Sequence, residues 1–262
     1  MTAWTPCAPL DPSRDSAALA RQYLAALEEF DTTLLDRSDS ARHASHGLSG
    51  LFLPSVPSRL HQAPHRIMIV GAETKGWAVL KKGESMNGLA DYVNRAMTKH
   101  GGELHARLTQ TTQDRGRSFM NFVRAVAKQS GPDGVIWANL FCCDWKKKSP
   151  IKSPHYEMVR HYSERLLKAQ VEFFAPSIII FANGLVSAPA RRAVFPIEGP
   201  GQVCTNGADY HASHQIPNKQ IWQFDLYGKI RCYRIQHPSS REDGATEARR
   251  FLLTLLPRAY PA

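Results

Sequence analysis

Four short apolar runs set the strongest limit on how this chain can fold. They are Arg66-Ile67-Met68-Ile69-Val70-Gly71, Val135-Ile136-Trp137-Ala138-Asn139-Leu140, Ser177-Ile178-Ile179-Ile180-Phe181-Ala182, and the stretch from Ile230 to Gln236. Each is too brief for a buried helix and is partly β-branched, so each reads as a strand covered on both faces. Helical periodicity fills the intervals between them. That pattern calls for an α/β fold, a three-layer α/β/α sandwich with a central four-stranded parallel sheet. In such a sheet the chemistry gathers beyond the carboxyl ends of the strands.

The helical intervals are read from spacing and caps. Asp15 or Ser16 caps a first helix whose Leu19, Tyr23, Leu27, Phe30 and Leu34 share one face. Leu89, Tyr92, Val93, Ala96 and Met97 form a second stripe, expected to stop at Gly101-Gly102. Ser118 starts a helix carrying Phe122, Val123 and Val126, and a longer one runs from Tyr156 to Phe174 with Pro176 closing it. Ser239 and Glu242 have capping-box spacing for a last helix bearing Phe251, Leu252 and Leu255. Residues 1–262 read as a single domain, with 1–65 a helix and loop extension. Residues 187–228 read as an irregular insertion in which only Ile221 to Tyr227 alternates as a strand does.

Composition narrows the function. At 43% hydrophobic and 21% charged residues the chain is too apolar for a disordered polyelectrolyte, and no apolar run approaches a bilayer span. The start, Met1 to Leu10, lacks the charged and apolar regions of a secretory signal, and the five cysteines form no metal-binding or disulfide pattern. The expected setting is the cytoplasm, with reduced thiols and without a metal or other cofactor. Thirty-three Lys and Arg against 23 Asp and Glu, a formal net charge of +10, point to a polyanionic partner. DNA ranks ahead of a membrane, because no long basic amphipathic helix is present; no obligate protein partner is inferred.

Three of the strand ends are chemically loaded: Gly71-Ala72-Glu73-Thr74-Lys75-Gly76-Trp77, then Asn139, then His237-Pro238-Ser239-Ser240. In that order they resemble the uracil-DNA glycosylase superfamily. Its members carry a Gly-x-(Asp/Asn)-Pro-type motif after the first strand, an Asn at the end of a later strand and His-Pro-Ser after the last. The block from Val159 to Gly184, an amphipathic helix, Ala175-Pro176 and an Ile-rich strand ending near glycine, also looks like that superfamily, so the resemblance spans roughly Arg66 to Leu256.

The resemblance implies a uracil-DNA glycosylase-like fold and a monofunctional DNA glycosylase. Such an enzyme flips out and excises a pyrimidine base and leaves an abasic site. Breaking a deoxyribose N-glycosidic bond builds positive charge on the sugar and negative charge on the base, so the site needs a carboxylate near one and a donor near the other. By resemblance Glu73 holds the attacking water, His237 donates to a pyrimidine carbonyl oxygen, and Asn139 reads the edge of the flipped base. Either Trp77 or Phe141 stacks on it. Thr74 replaces the family's proline. Lys75 stands where strict uracil enzymes keep a tyrosine that blocks C5 substituents, which opens the pocket to uracil or to 5-substituted, even hypermodified, cytosines such as those of phage DNA. Defence proteins of this superfamily remove such bases.

Arg241 stands where relatives often have a leucine wedge, and Ser239, Ser240, Arg241 and the lysines Lys146, Lys147 and Lys148 are the expected DNA-backbone contacts. The clustered cysteines of the iron-sulfur branches are missing, so no cluster is expected. Two other readings stay open. One is a DNA-binding protein on the same fold without catalysis. The other is a metal-dependent nuclease built on Glu73 and Asp144.

Overall fold

In the computed structural model, which describes residues 5–11, 13–112 and 118–259, all four apolar runs are strands, and two further strands join them. The six are β1 (Ile67–Gly71), β2 (Val135–Asn139), β3 (Ile178–Phe181), β4 (Cys204–Ala208), β5 (Ile221–Leu226) and β6 (Ile230–Ile235), hydrogen-bonded in the order β2-β1-β3-β6-β5-β4. β2, β1, β3 and β6 are mutually parallel, while β5 and β4 extend the sheet antiparallel. The sheet is therefore six-stranded and mixed, not the four-stranded parallel one expected. The physical reason lies in the connection between β5 and β6. Tyr227 and Gly228 both sit at positive φ, 54° and 67°, and Lys229 N–H donates to Leu226 O. A turn of that kind returns the chain beside itself, which a parallel crossover cannot do.

The helices are α1 (Ser16–Ala26), α2 (Ser40–His46), α3 (Gly88–Thr109), α4 (Ser118–Ser130), α5 (Tyr156–Phe174), α6 (Ala188–Val194), the single turn α7 (His211–His214) and α8 (Ala245–Leu255). Strand residues alternate between the two faces of the sheet, and so two cores form. Met68, Val70, Ile179 and Phe181 pack with Leu19 and Tyr23 of α1, Val93 of α3, Leu166 of α5 and Val194 of α6. Ile67, Ile69, Ile178 and Ile180 pack with Val123 and Val126 of α4 and Leu252 of α8. Every β1 residue is buried, and each such aliphatic side chain removed from water stabilises the fold by roughly 2 kcal/mol.

Several helix boundaries depart from the sequence reading. Asp15 caps α1, accepting from Ala18 N–H at 2.7 Å, but the helix stops at Ala26; Leu27 and Phe30 stay buried beyond it. α3 continues through Gly101 and Gly102 to Thr109. Gly101 is a packing residue here, since a Cβ would lie 2.9 Å from Ser55 Oγ. α5 matches its expected span, ending where Ala175 turns left-handed at φ 41° ahead of Pro176. Ser239 does not cap the last helix: α8 starts after Gly244 without a side-chain cap. The stretch 187–228 is not irregular, since it holds α6, β4, α7 and β5. Among the described residues no helix is long and apolar enough to cross a membrane.

Candidate active site

Parallel register brings the ends of β1 and β2 level, Gly71 opposite Asn139, and the chain leaves β6 at the same end of the sheet. A pocket of about 290 Å³ opens there. Glu73, Thr74, Lys75 and Trp77 enter it from the loop after β1, Phe119 from α4, Trp137 and Asn139 from β2, and His237 and Ser239 from the turn after β6. Three motifs spread over more than 160 residues of sequence thus meet in one cavity.

Gly71 makes the convergence sterically feasible. A Cβ there would lie 2.5 Å from Asn139 Oδ1 and 3.2 Å from the Phe119 ring, so no larger residue fits without moving both. Asn139 itself is buried, and its Nδ2 has no hydrogen-bond partner among the described residues. A buried amide donor left unpaired is costly and is a natural partner for a polar ligand.

Glu73 is half-buried and its carboxylate takes no hydrogen bond from any described residue. It caps no helix, since α3 begins only at Gly88 after Asn87. Burial, followed by the nearby Asp144 carboxylate, raises its pKa above the usual range, and Lys75 offsets part of that. The result is a carboxylate without a hydrogen-bond partner among the described residues and more basic than an exposed one. Asp144 is a different case. It is buried, and its two oxygens accept from Gly76 N–H, Thr74 Oγ1 and Lys147 N–H. Its carboxylate ties the loop after β1 to the segment after β2.

His237 has a defined tautomer. Ser239 N–H points at Nδ1 at 3.2 Å, with Ser239 Oγ also 2.7 Å from it. A backbone N–H can only donate, so Nδ1 is the acceptor and, in the neutral ring, the proton sits on Nε2. Burial, then Lys75 and Arg249, lower the pKa of His237, which favours that neutral ring. Phe119 lies nearly parallel to the imidazole, 20° between planes and 6.2 Å between centroids.

Other expected residues fall outside the pocket. Phe141 is not a stacking surface: it is buried in the core on the α5 side, edge-on to Tyr156 at 6.2 Å. Trp77 does line the pocket, held by edge contacts to Phe52 and Trp137 and with Lys99 Nζ 4.9 Å above its ring. Lys146 and Lys147 form the two corners of a tight turn at φ 50° and 61°, closed by reciprocal Trp145 and Lys148 backbone bonds of 2.9 Å. Left-handed backbone at two non-glycine residues costs about 1–2 kcal/mol each. The turn holds all three lysines in solvent beside the pocket loop, with the Lys147 stem against Gly76, rather than inside the cavity. Arg241 is exposed, and Ser240 closes the turn by donating its N–H to His237 O at 2.7 Å.

Sequence reading missed Phe119 and Arg249. Phe119 is the second residue of α4, directly before the buried Met120, and nothing local distinguishes it from a core residue. Arg249 sits on α8 with no motif around it. No protein-family model and no curated protein matches the chain, so the reading of this pocket rests on its own residues.

Proposed function

We propose that the strand-end pocket is the base-excision centre of a monofunctional DNA glycosylase acting on a flipped pyrimidine, either uracil or a 5-substituted cytosine. The observation that carries this reading is the pairing, in one cavity, of the half-buried Glu73 carboxylate with the Nε2–H donor of His237 beside the Asn139 amide, whose Nδ2 has no partner among the described residues. In the reaction, Glu73 orients a water toward C1′ and accepts its proton. The C1′–N bond breaks, its electron pair leaves with the base, and His237 Nε2–H stabilises the negative charge on the pyrimidine carbonyl oxygen. Asn139 Nδ2 donates to the base edge, and Trp77 and Phe119 supply apolar walls.

Water is the nucleophile, so the sugar-phosphate backbone stays intact. Lys75 lies at the exposed mouth, where it can meet a polar C5 substituent or a phosphate. The solvent-facing lysine turn and Arg241 supply positive charge for the DNA backbone. A uracil-DNA glycosylase-like topology is part of the same proposal, supported by the parallel core of the sheet and the order of the motifs at its strand ends.

The test uses purified full-length protein with labelled single- and double-stranded DNA containing uracil or 5-substituted cytosines, and detects free base by mass spectrometry. Base release that falls sharply in Glu73→Gln and His237→Ala supports the reading. Release from no substrate, or full activity in both variants, rejects it. Tight salt-sensitive binding without release would assign a DNA-binding role instead.

A further inference from the structure

A second cavity, of about 240 Å³, opens between α6 and the antiparallel edge of the sheet. Arg191, Arg192 and Arg234 line it with Asn218 and Trp222, and no described Asp or Glu does. Arg191 is 1% exposed, yet its Nε and Nη1 have no hydrogen-bond partner among the described residues. Its guanidinium lies 5.2 Å from the Phe224 ring and 5.6 Å from those of Phe181 and Trp222. Arg234, 4% exposed, donates only to neutral acceptors: Lys219 O and Asn218 O at 2.7 Å and Asn218 Oδ1 at 2.9 Å.

Two buried guanidiniums lining one cavity, with a third at the rim and no acidic residue among the described lining, form an arrangement that burial penalises heavily. The aromatic contacts recover only part of that cost. The strain is visible in both groups: burial draws Arg191 and Arg234 down to about 10, and Arg192 pushes each the same way. An oxyanion in the cavity relieves the strain, because guanidinium forks match its geometry. Leu185, Ala188, Ile197 and Trp222 on the remaining walls leave room for the carbon part of the ligand.

We propose that this cavity binds the phosphate group of a phosphate ester through Arg191, Arg192 and Arg234. The ester is either a phosphodiester of a nucleic-acid strand or a small free phosphate ester. Leu185 follows Gly184, whose Cα faces the His237 backbone closely enough that a Cβ there would sit 3.4 Å from His237 N. The cavity is therefore one loop away from the strand-end pocket. The site itself does not depend on base excision taking place there.

The experiment titrates inorganic phosphate into the full-length protein by calorimetry at constant ionic strength, in wild type, Arg191→Met and Arg192→Ala. Arg192 is exposed, so its loss leaves the fold intact. Met keeps an unbranched chain among the aromatic rings, and Arg191→Met should melt at a higher temperature than wild type without phosphate. Saturable binding by wild type that weakens about ten-fold or more in both variants supports the site. A parallel arm measures binding of a single-stranded oligonucleotide by fluorescence anisotropy. If the same variants also weaken it and phosphate competes, the source is the nucleic-acid backbone; if oligonucleotide binding is unchanged, the ligand is a free phosphate ester. No saturable phosphate binding by wild type, or equal binding in all three proteins, overturns the proposal.

Discussion

Thr74 donates its hydroxyl to Asp144 Oδ2 at 2.9 Å, and the same oxygen accepts Gly76 N–H at 2.6 Å. The loop that presents Glu73 is thus tied to the segment after β2 by a buried carboxylate. Side-chain hydrogen bonding, and not the fixed φ of a proline, sets the loop at residue 74. The prediction is that Thr74→Val lowers stability by about 1.5–3 kcal/mol, the value of a hydrogen bond to a charged group, while Thr74→Ser loses much less. Urea denaturation of the two variants checks this, and equal stability of Thr74→Val and wild type would remove the tie.

Glu73 separates activity from stability. Its pKa is raised in the folded state, so its favourable contribution exists while it is protonated and is lost as pH rises through the folded value. Where it is ionised, the half-buried carboxylate beside Asp144 is a burden on the fold. Glu73→Gln should therefore leave stability equal or higher while cutting base release by about 10²–10⁴-fold. In wild type the rate should climb with pH across a range above that of an ordinary carboxylate. A variant that loses both stability and activity would mark Glu73 as structural.

In the proposed reaction His237 acts through Nε2, and the backbone N–H of Ser239 leaves the proton there. His237→Ala should reduce the rate by about 10²–10³-fold, the usual effect of removing an oxyanion donor. Ser239→Ala keeps the N–H that fixes the tautomer and should retain activity within about ten-fold. Single-turnover rates on a uracil or 5-substituted cytosine duplex distinguish the two; equal damage from both would place the Ser239 hydroxyl, not its N–H, in control.

Gly71→Ala places a methyl 2.5 Å from Asn139 Oδ1. Asn139 and Phe119 must both shift, so base release should fall while circular dichroism stays near wild type. Unchanged rates would show that the two side chains need no fixed position.

Acid sensitivity has an identifiable source away from the pocket. His100 is fully buried, accepts Ser55 N–H at Nδ1 and lies 3.0 Å from Trp137 O through Nε2, and burial lowers its pKa to about 4. A group whose folded pKa lies below its unfolded value of about 6.5 supports the fold above that pH. The support is lost as pH falls toward the folded value, on the order of 3 kcal/mol in all. Comparing urea unfolding at about pH 7 and about pH 4.5 should show a loss that His100→Gln makes smaller. An identical pH dependence in both proteins would move the acid sensitivity elsewhere.

The parallel core and the strand ends are legible from local pattern. Runs such as Ile67–Gly71 and the helix Tyr156–Phe174 are encoded by neighbours a few residues apart, through apolar periodicity and a proline stop, and Glu73, Asn139 and His237 follow from their places after those runs. Only the tertiary structure decided what those residues meet. Phe119 rather than Phe141 faces the pocket, because the chain after Asn139 turns Phe141 into the core while the start of α4 is carried across the strand ends. β5, with β4 beyond it, joins β6 antiparallel through a turn that admits left-handed Tyr227, and Arg191 lies among three aromatic rings from two strands, Phe181 of β3 and Trp222 and Phe224 of β5. Local spacing fixes which way a side chain points along its own element. Its partners depend on strand pairing between residues 68 positions apart for β1 and β2 and 111 apart for β1 and β3, which no local pattern records.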